Sequence, residues 1–128
     1  MAAAVVGIGA SAGGINVLSR FFELVPADSG LAFVVVLHLD PARESELAPI
    51  LGRHTDMSVV EITDGMPIEA NKVYVIVPDK SVEIDEGNRL RLSEPAEPRG
   101  RRHPIDVLFT SLAEHKHERT IGIVLSGT

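Results

Sequence analysis

Hydrophobic and polar positions fall into blocks that predict strands and helices in alternation. Unbroken apolar runs at residues 3–9 and 31–37 predict buried strands, and such runs are typical of a parallel sheet covered on both faces. Between them, apolar residues recur every three or four positions from residue 15 to residue 25. This spacing predicts an amphipathic helix that ends before Pro26.

The same alternation continues to the end of the chain. Further strands are predicted at residues 57–62, 72–77 and 120–125, and further helices at residues 44–54 and 104–112. Pro49 must lie in the first turn of its helix or kink it. Residues 81–84 and 89–92 alternate apolar and polar positions across a turn, which predicts an antiparallel hairpin with one exposed face. The predicted fold is α/β and doubly wound: a mainly parallel sheet with helices on both faces and one antiparallel hairpin, a Rossmann-like three-layer sandwich.

Composition narrows the class of protein. The chain has 128 residues, 45% of them hydrophobic and only 4% aromatic, so we expect one domain, or part of one, with an aliphatic core. Tyr74 is predicted to lie in that core with a hydrogen-bonded hydroxyl. The absence of cysteine excludes disulfides, a thiol nucleophile and thiolate metal ligands.

Charge and hydropathy limit the classes of partner that the protein can bind. A formal net charge of -6 disfavours binding to nucleic acid. No apolar run reaches the length of a transmembrane helix, and no basic residue precedes Arg20, so the charged start of a signal peptide is missing. We therefore expect a cytoplasmic protein that neither binds nucleic acid nor inserts into a membrane.

The main candidate chemistry lies in the glycine-rich segment of residues 7–14, between the first strand and the first helix. In one hypothesis Ser11 is a nucleophile at a strand-to-helix turn, and backbone N–H groups around Ala12 donate to an oxyanion. His38 ends the next strand, at the same edge of the sheet, where its imidazole could accept the hydroxyl proton. The plainer interpretation is that Ser11 caps a helix and His38 merely ends a strand.

A second hypothesis is dinucleotide binding. Gly7, Gly9 and Ala12 match the spacing of the pyrophosphate fingerprint, in which glycines let the backbone approach phosphate. Asp40, near the end of the second strand, could hold a ribose, although His38 would crowd that position. The spacing of these residues leaves both hypotheses open.

Longer motifs along nearly the whole chain carry a more specific signal. They lie at residues 6–14 (VGIGASAGG), 36–39 (VLHL), 63–65 (TDG), 73–78 (VYVIVP), 104–109 (PIDVLF) and 122–127 (GIVLSG). Together they resemble the catalytic domain of protein-glutamate methylesterase, the chemotaxis enzyme of CheB type. The sequence is most similar to the version in which this domain is fused to a receptor methyltransferase.

The resemblance implies a serine hydrolase of chemotaxis adaptation that removes methyl groups from glutamate γ-methyl esters and could also deamidate glutamine. It implies a Ser-His-Asp triad with Ser11 and His38, and backbone oxyanion donors at Ala12 and Thr128. No metal or organic cofactor is implied. The implied partners are the cytoplasmic helices of methylated chemoreceptors, other signalling proteins of the chemotaxis phosphorelay and, in the fused version, the methyltransferase.

The sequence departs from the family pattern at the triad acid. The resemblance places this acid in a Gly-x-Asp-Gly segment just beyond Thr128, so we expect residues 1–128 to be a C-terminally truncated methylesterase domain with weak activity or none. In serine proteases the loss of the acid costs about 10⁴ in turnover. Asp40 and Asp106 are the nearby substitutes, and neither matches the motif. Leu37 also departs from the family, which often has a polar Gln there.

Two charged segments have functional and plain interpretations. Arg99, Arg101 and Arg102 could dock on acidic receptor helices, but a solvated loop is the simpler explanation. His115 and His117 lie two apart, and on a helix such residues point to different sides, so we expect no metal site there. A third functional hypothesis is a non-catalytic regulatory module that docks signalling proteins.

Overall fold

The computed structural model describes residues 4–11, 14–38, 47–77, 80–94, 104–115 and 120–125. Within these ranges the chain forms seven strands and three helices. The strands are β1 Ala4–Ser11, β2 Leu31–His38, β3 Ser58–Glu61, β4 Lys72–Val75, β5 Ser81–Ile84, β6 Leu90–Ser93 and β7 Thr120–Leu125, and the helices are α1 Ile15–Leu24, α2 Leu47–Gly52 and α3 Pro104–His115.

Five strands form one parallel sheet in the order β3-β4-β2-β1-β7. From β1 the chain first adds β2 on one side, with β4 and β3 beyond it, and later adds β7 on the other side of β1. The direction of winding therefore reverses at β1. In open α/β sheets, such a reversal opens a crevice at the carboxyl ends of the strands, where ligands bind.

Helices cover both faces of this sheet. Successive residues of a strand point to opposite faces, so each strand packs against both helix layers. On one face, α1 and α2 bury Leu18 and Leu51 together with Ile8 of β1. On the other face, α3 buries Leu108 together with Val34 of β2. The two layers confirm the predicted doubly wound α/β fold.

Strands β5 and β6 form the predicted antiparallel hairpin, paired from Ser81 with Ser93 to Ile84 with Leu90. Val82 and Ile84 are buried, whereas Glu83 between them is exposed. The buried side belongs to the same apolar cluster as α3 and the sheet. The hairpin thus extends the layer that contains α3.

Two details of the elements bear on the predictions made from the sequence. β1 continues through Ala10 to Ser11, two residues past its predicted end, so Gly9 lies inside a strand rather than at its end. In α2, Pro49 is the third described residue of the helix, in a first turn whose N–H groups lack intrahelical acceptors. Proline is tolerated there, as the sequence required.

None of the helices in the described ranges combines the length and apolar character that crossing a membrane requires. Likewise, the described residues contain no group of three or more His, Asp or Glu side chains that could hold a metal ion.

Candidate active site

The carboxyl ends of β1 and β2 bring two predicted site residues to adjacent positions. Ser11 is the last residue of β1, His38 is the last residue of β2, and the two are register partners in the parallel ladder. Adjacent strands lie about 4.8 Å apart. The backbones of Ser11 and His38 are therefore direct neighbours at the sheet edge where α/β proteins bind ligands.

Helix α1 begins close to this pair. Its N-cap is Gly14, which has no side chain that could cap the helix, and its first turn carries no acidic residue. A Cβ at Gly14 would lie 3.0 Å from the Cβ of Ala10 and 3.6 Å from the carbonyl oxygen of Leu125, so the start of α1 packs tightly against the ends of β1 and β7. Helix N-termini present N–H groups and a positive dipole end, which favour a developing negative charge nearby.

The glycines of β1 serve the packing of helix α3. A Cβ at Gly7 would lie 2.6 Å from Cδ1 of Leu112, and a Cβ at Gly9 would lie 2.5 Å from Cγ2 of Ile105, both closer than real Cβ atoms approach a neighbour. The dinucleotide hypothesis requires these glycines to admit a pyrophosphate at a strand-to-helix turn. They lie instead inside β1, and side chains of α3 fill the space beside them. The structure therefore removes the observation on which that hypothesis depended.

Several predicted site residues lie outside the described residues. These are Ala12 and Thr128 of the predicted oxyanion hole, Asp40, the basic cluster Arg99, Arg101 and Arg102, and His117. Asp106, considered above as a substitute acid, lies exposed in the first turn of α3.

The chain matches the sequence profile of the CheB methylesterase family over residues 6–128. It belongs to the CheB methylesterase family. The family membership confirms the resemblance seen in the sequence motifs, while the fusion to a methyltransferase stays a prediction.

Solved and curated CheB-type proteins support the assignment. The crystal structure of the Thermotoga maritima CheB methylesterase catalytic domain is similar with a TM-score of 0.86 and 25% identity, covering 100% of this chain and 69% of that one. A protein-glutamate methylesterase/protein-glutamine glutaminase of Xanthomonas oryzae is 37% identical over 95% of this chain. One from Symbiobacterium thermophilum is 32% identical over 94% of it.

The chain is shorter than these curated relatives. It spans 35% of the Xanthomonas protein, 33% of the Symbiobacterium protein and 62% of a Leptospira interrogans relative that is 30% identical.

The CheB-type motif of residues 63–65 holds the hairpin against the sheet. Oδ1 of Asp64 accepts a hydrogen bond from the backbone N–H of Leu92 at 2.9 Å, and the carbonyl oxygen of Gly65 accepts one from Nη1 of Arg89 at 2.8 Å. Gly65 adopts a φ of 84°, a left-handed conformation that favours glycine. The sequence predicts a turn at Asp64 and Gly65 of this family motif; the structure has that turn and adds its hydrogen bonds to the hairpin.

The link between the motifs of β1 and α3 was not predicted from the sequence. Ile105, Phe109 and Leu112 follow the i, i+4, i+7 spacing of one helix face, and each contacts a glycine of the sheet. The available signal was this apolar stripe together with glycines at alternate strand positions, since such glycines often mark a close backbone approach.

A groove of about 320 Å³ lies between the carboxyl ends of α1 and α2. It is lined by residues that include Glu23, Arg53, His54 and Asp56, and Nδ1 of His54 lies 2.6 Å from Oε2 of Glu23. Because α1 begins near Ser11 and runs for about 15 Å before this groove, the groove is separate from the candidate active site of this CheB-type domain.

Proposed function

We propose that this domain is a serine esterase that hydrolyses glutamate γ-methyl esters of chemoreceptors and deamidates glutamine at the same sites. The observation that carries the proposal is the register pairing of Ser11 with His38 at the carboxyl edge of the sheet. Membership of the CheB methylesterase family supports it, as do the names of the curated relatives, which are protein-glutamate methylesterase/protein-glutamine glutaminases.

In the proposed reaction, the hydroxyl oxygen of Ser11 attacks the γ-carbonyl carbon while His38 accepts the hydroxyl proton. The negative charge that develops on the carbonyl oxygen is stabilised by backbone N–H groups at Ala12 and Thr128 and by the N-terminal end of α1. The tetrahedral intermediate then breaks its bond to the methoxy oxygen, which takes the proton from His38 and leaves as methanol. A γ-glutamyl ester of Ser11 remains.

Water completes the cycle. His38 accepts a proton from the water molecule, whose oxygen attacks the acyl carbon, and the proton returns to the leaving oxygen of Ser11. The product carboxyl group loses its remaining proton to solvent at neutral pH, so the receptor gains a negative charge. With glutamine as substrate the same steps release ammonia in place of methanol. None of the steps requires an organic cofactor or a metal ion.

The receptor substrate and the fused architecture come from the resemblance alone. We propose the cytoplasmic helices of methylated chemoreceptors as substrate, which places the domain in the cytoplasm, with Arg99, Arg101 and Arg102 as a docking cluster for acidic receptor surfaces. We also propose that in the natural protein this domain is fused to a receptor methyltransferase. Sequencing the gene on both sides of this segment tests that point.

A serine-directed probe tests the proposal in the protein at its full natural length. We expect a fluorophosphonate to label the wild type and Ser58→Ala, an exposed control on β3, but not Ser11→Ala. We expect His38→Gln to lower methanol release from methylated receptor by about 10²–10⁴-fold, the range for loss of a general base. If the wild type is labelled no more than Ser11→Ala, the esterase proposal fails. Receptor binding without methanol release would instead favour a non-catalytic docking module.

A further inference from the structure

Three glycines in neighbouring strands lie under helix α3 and form a patch of the sheet without side chains, which we call the glycine platform. It consists of Gly7 and Gly9 of β1 and Gly122 of β7, and Gly7 and Gly122 are register partners. A Cβ at Gly122 would lie 3.3 Å from Cε2 of Phe109, so all three glycines face side chains of one helix. The missing side chains allow α3 to lie directly on the strand backbones.

Within the glycine platform, Gly9 is the position next to the candidate active site. It precedes Ser11 by two residues, and its register partner Val36 precedes His38 by two residues. Ile105 covers this position: a Cβ at Gly9 would lie 2.5 Å from its Cγ2, 2.8 Å from its Cγ1 and 2.9 Å from its Cδ1. The branched side chain of Ile105 therefore occupies the space beside β1 two residues before Ser11, on the face of the sheet that α3 covers.

The contact at Gly7 is different. There a Cβ would meet only the ends of side chains, at 2.6 Å from Cδ1 of Leu112 and 3.2 Å from Cε1 of Phe109, and a terminal methyl group such as Cδ1 can rotate to another rotamer. At Gly9, by contrast, the contact includes both branches at the β-carbon of Ile105, and β-branched side chains are held in few rotamers. Because all three distances are below 3.0 Å, a Cβ added at Gly9 requires the side chain of Ile105, the end of β1 or the start of α3 to shift.

We infer that Ile105 is a positioning residue for the esterase reaction: by packing into the space of the absent Cβ at Gly9, it fixes the end of β1 and so the approach of Ser11 to His38. The inference rests on the proposed function. Its physical basis is that a misplacement of about 1 Å between reacting groups costs on the order of 10²-fold in rate.

The test uses variants of the full natural protein, with kcat expressed per active serine titrated by the fluorophosphonate. We expect Gly9→Ala to lower kcat by about tenfold or more with KM nearly unchanged. The double variant Gly9→Ala/Ile105→Ala removes Cγ1, Cγ2 and Cδ1 of Ile105, the three atoms that the added Cβ would meet, so it is expected to recover part of the lost kcat. Gly7→Ala is the matched control and is expected to keep the wild-type kcat.

The outcomes distinguish a failure of the proposed function from a failure of the positioning role of Ile105. An unlabelled wild type would overturn the proposed function itself. An active wild type with an equal loss of kcat in Gly9→Ala and Gly7→Ala, or with no loss in either, would overturn only the positioning role of Ile105. If Gly9→Ala fails to fold, Ile105→Ala alone decides the matter. A lower kcat at wild-type KM supports the inference, and a wild-type kcat refutes it.

Discussion

Ser111 is a buried hydroxyl that joins helix α3 to the hairpin. The residue is 3% exposed. Its Oγ donates to the carbonyl oxygen of Leu108 at 2.9 Å and accepts from the backbone N–H of Ile84 at 3.1 Å. The N–H of Ile84 therefore obtains its buried acceptor from a side chain of another element.

Replacing Ser111 by alanine tests this link. Ser111→Ala leaves the buried N–H of Ile84 without its acceptor, which costs about 1–3 kcal/mol of the free energy of unfolding. The matched control is Thr110→Ala, at an exposed position of the same helix. Urea unfolding of both variants measures the difference, and equal stabilities of the two would contradict the role of Ser111.

Tyr74 shows that a single residue can be predicted together with its environment. Its side chain is buried, and its hydroxyl accepts a hydrogen bond from the N–H of Glu69 at 2.8 Å and donates one to the carbonyl oxygen of Pro67 at 3.2 Å. Burial raises the pKa of this phenol. The predicted core tyrosine with a hydrogen-bonded hydroxyl is thus confirmed, because its only polar atom needs a partner once the ring is buried.

At the scale of elements, the hairpin is fixed by one carboxylate. Asp85 accepts hydrogen bonds from the N–H groups of Gly87 at 2.9 Å and Arg89 at 3.0 Å, and from Nε of Arg91 at 2.7 Å. The hydrogen bond from Arg91 is the main reason that the pKa of Asp85 lies below its ordinary value. The charged form of Asp85 therefore stabilises the turn between β5 and β6.

The stability of the hairpin is expected to depend on pH through Asp85. Because the folded state lowers the pKa of Asp85 from 3.8, its contribution is present above that value and is lost as the pH falls through the lower folded-state value. Asp85→Asn keeps an oxygen acceptor but removes the charge. We expect a lower melting temperature than the wild type at neutral pH and a gap that narrows on acidification. A gap that stays constant from neutral pH down to about pH 2, below the ordinary pKa of 3.8, would count against it, and exposed Glu83→Gln is the control.

The strands of the parallel sheet could be predicted because they are unbroken apolar runs, which burial on both faces demands. The end of β1 could not. Ala10 and Ser11 follow two glycines and look like a turn, but they pair with Leu37 and His38 of β2. Their strand conformation is set by this neighbour, and pairing in a sheet outweighs local preference.

The candidate site shows the same division. The adjacency of Ser11 and His38 could be predicted, because the carboxyl ends of parallel strands meet at one sheet edge. The partner of Gly9 could not, because Ile105 lies far along the chain and only the packing of α3 brings it there. Local spacing gave Gly9 a phosphate-binding interpretation, and long-range packing replaced it.

At the scale of the whole molecule, two apolar cores share one sheet. One core contains Leu18 of α1, and the other contains Leu108 of α3 and Ile84 of the hairpin, each at most 1% exposed. The sheet separates them, so a cavity in one core has no direct neighbour in the other. Among the residues that the structure describes, the two cores share the backbone of the central strands.

Double-variant cycles test this separation. Leu18→Ala is expected to cost about 2–5 kcal/mol and Ile84→Val about 0.5–1.5 kcal/mol of the free energy of unfolding, and the two costs are expected to add within about 0.5 kcal/mol, since they lie in different cores. Leu108→Ala combined with Ile84→Val lies within one core and is expected to deviate from additivity by about 0.5–3 kcal/mol.

The control for substitution of leucine itself is Leu24→Ala, since Leu24 is 82% exposed and surface changes usually stay within about 0.5 kcal/mol. Urea unfolding of the full set gives all the terms. Coupling between Leu18 and Ile84 as strong as that between Leu108 and Ile84 would mean that the sheet transmits strain from one face to the other. In that case Ile105 would not be the only residue whose replacement moves the end of β1, because a cavity in either core would also move it.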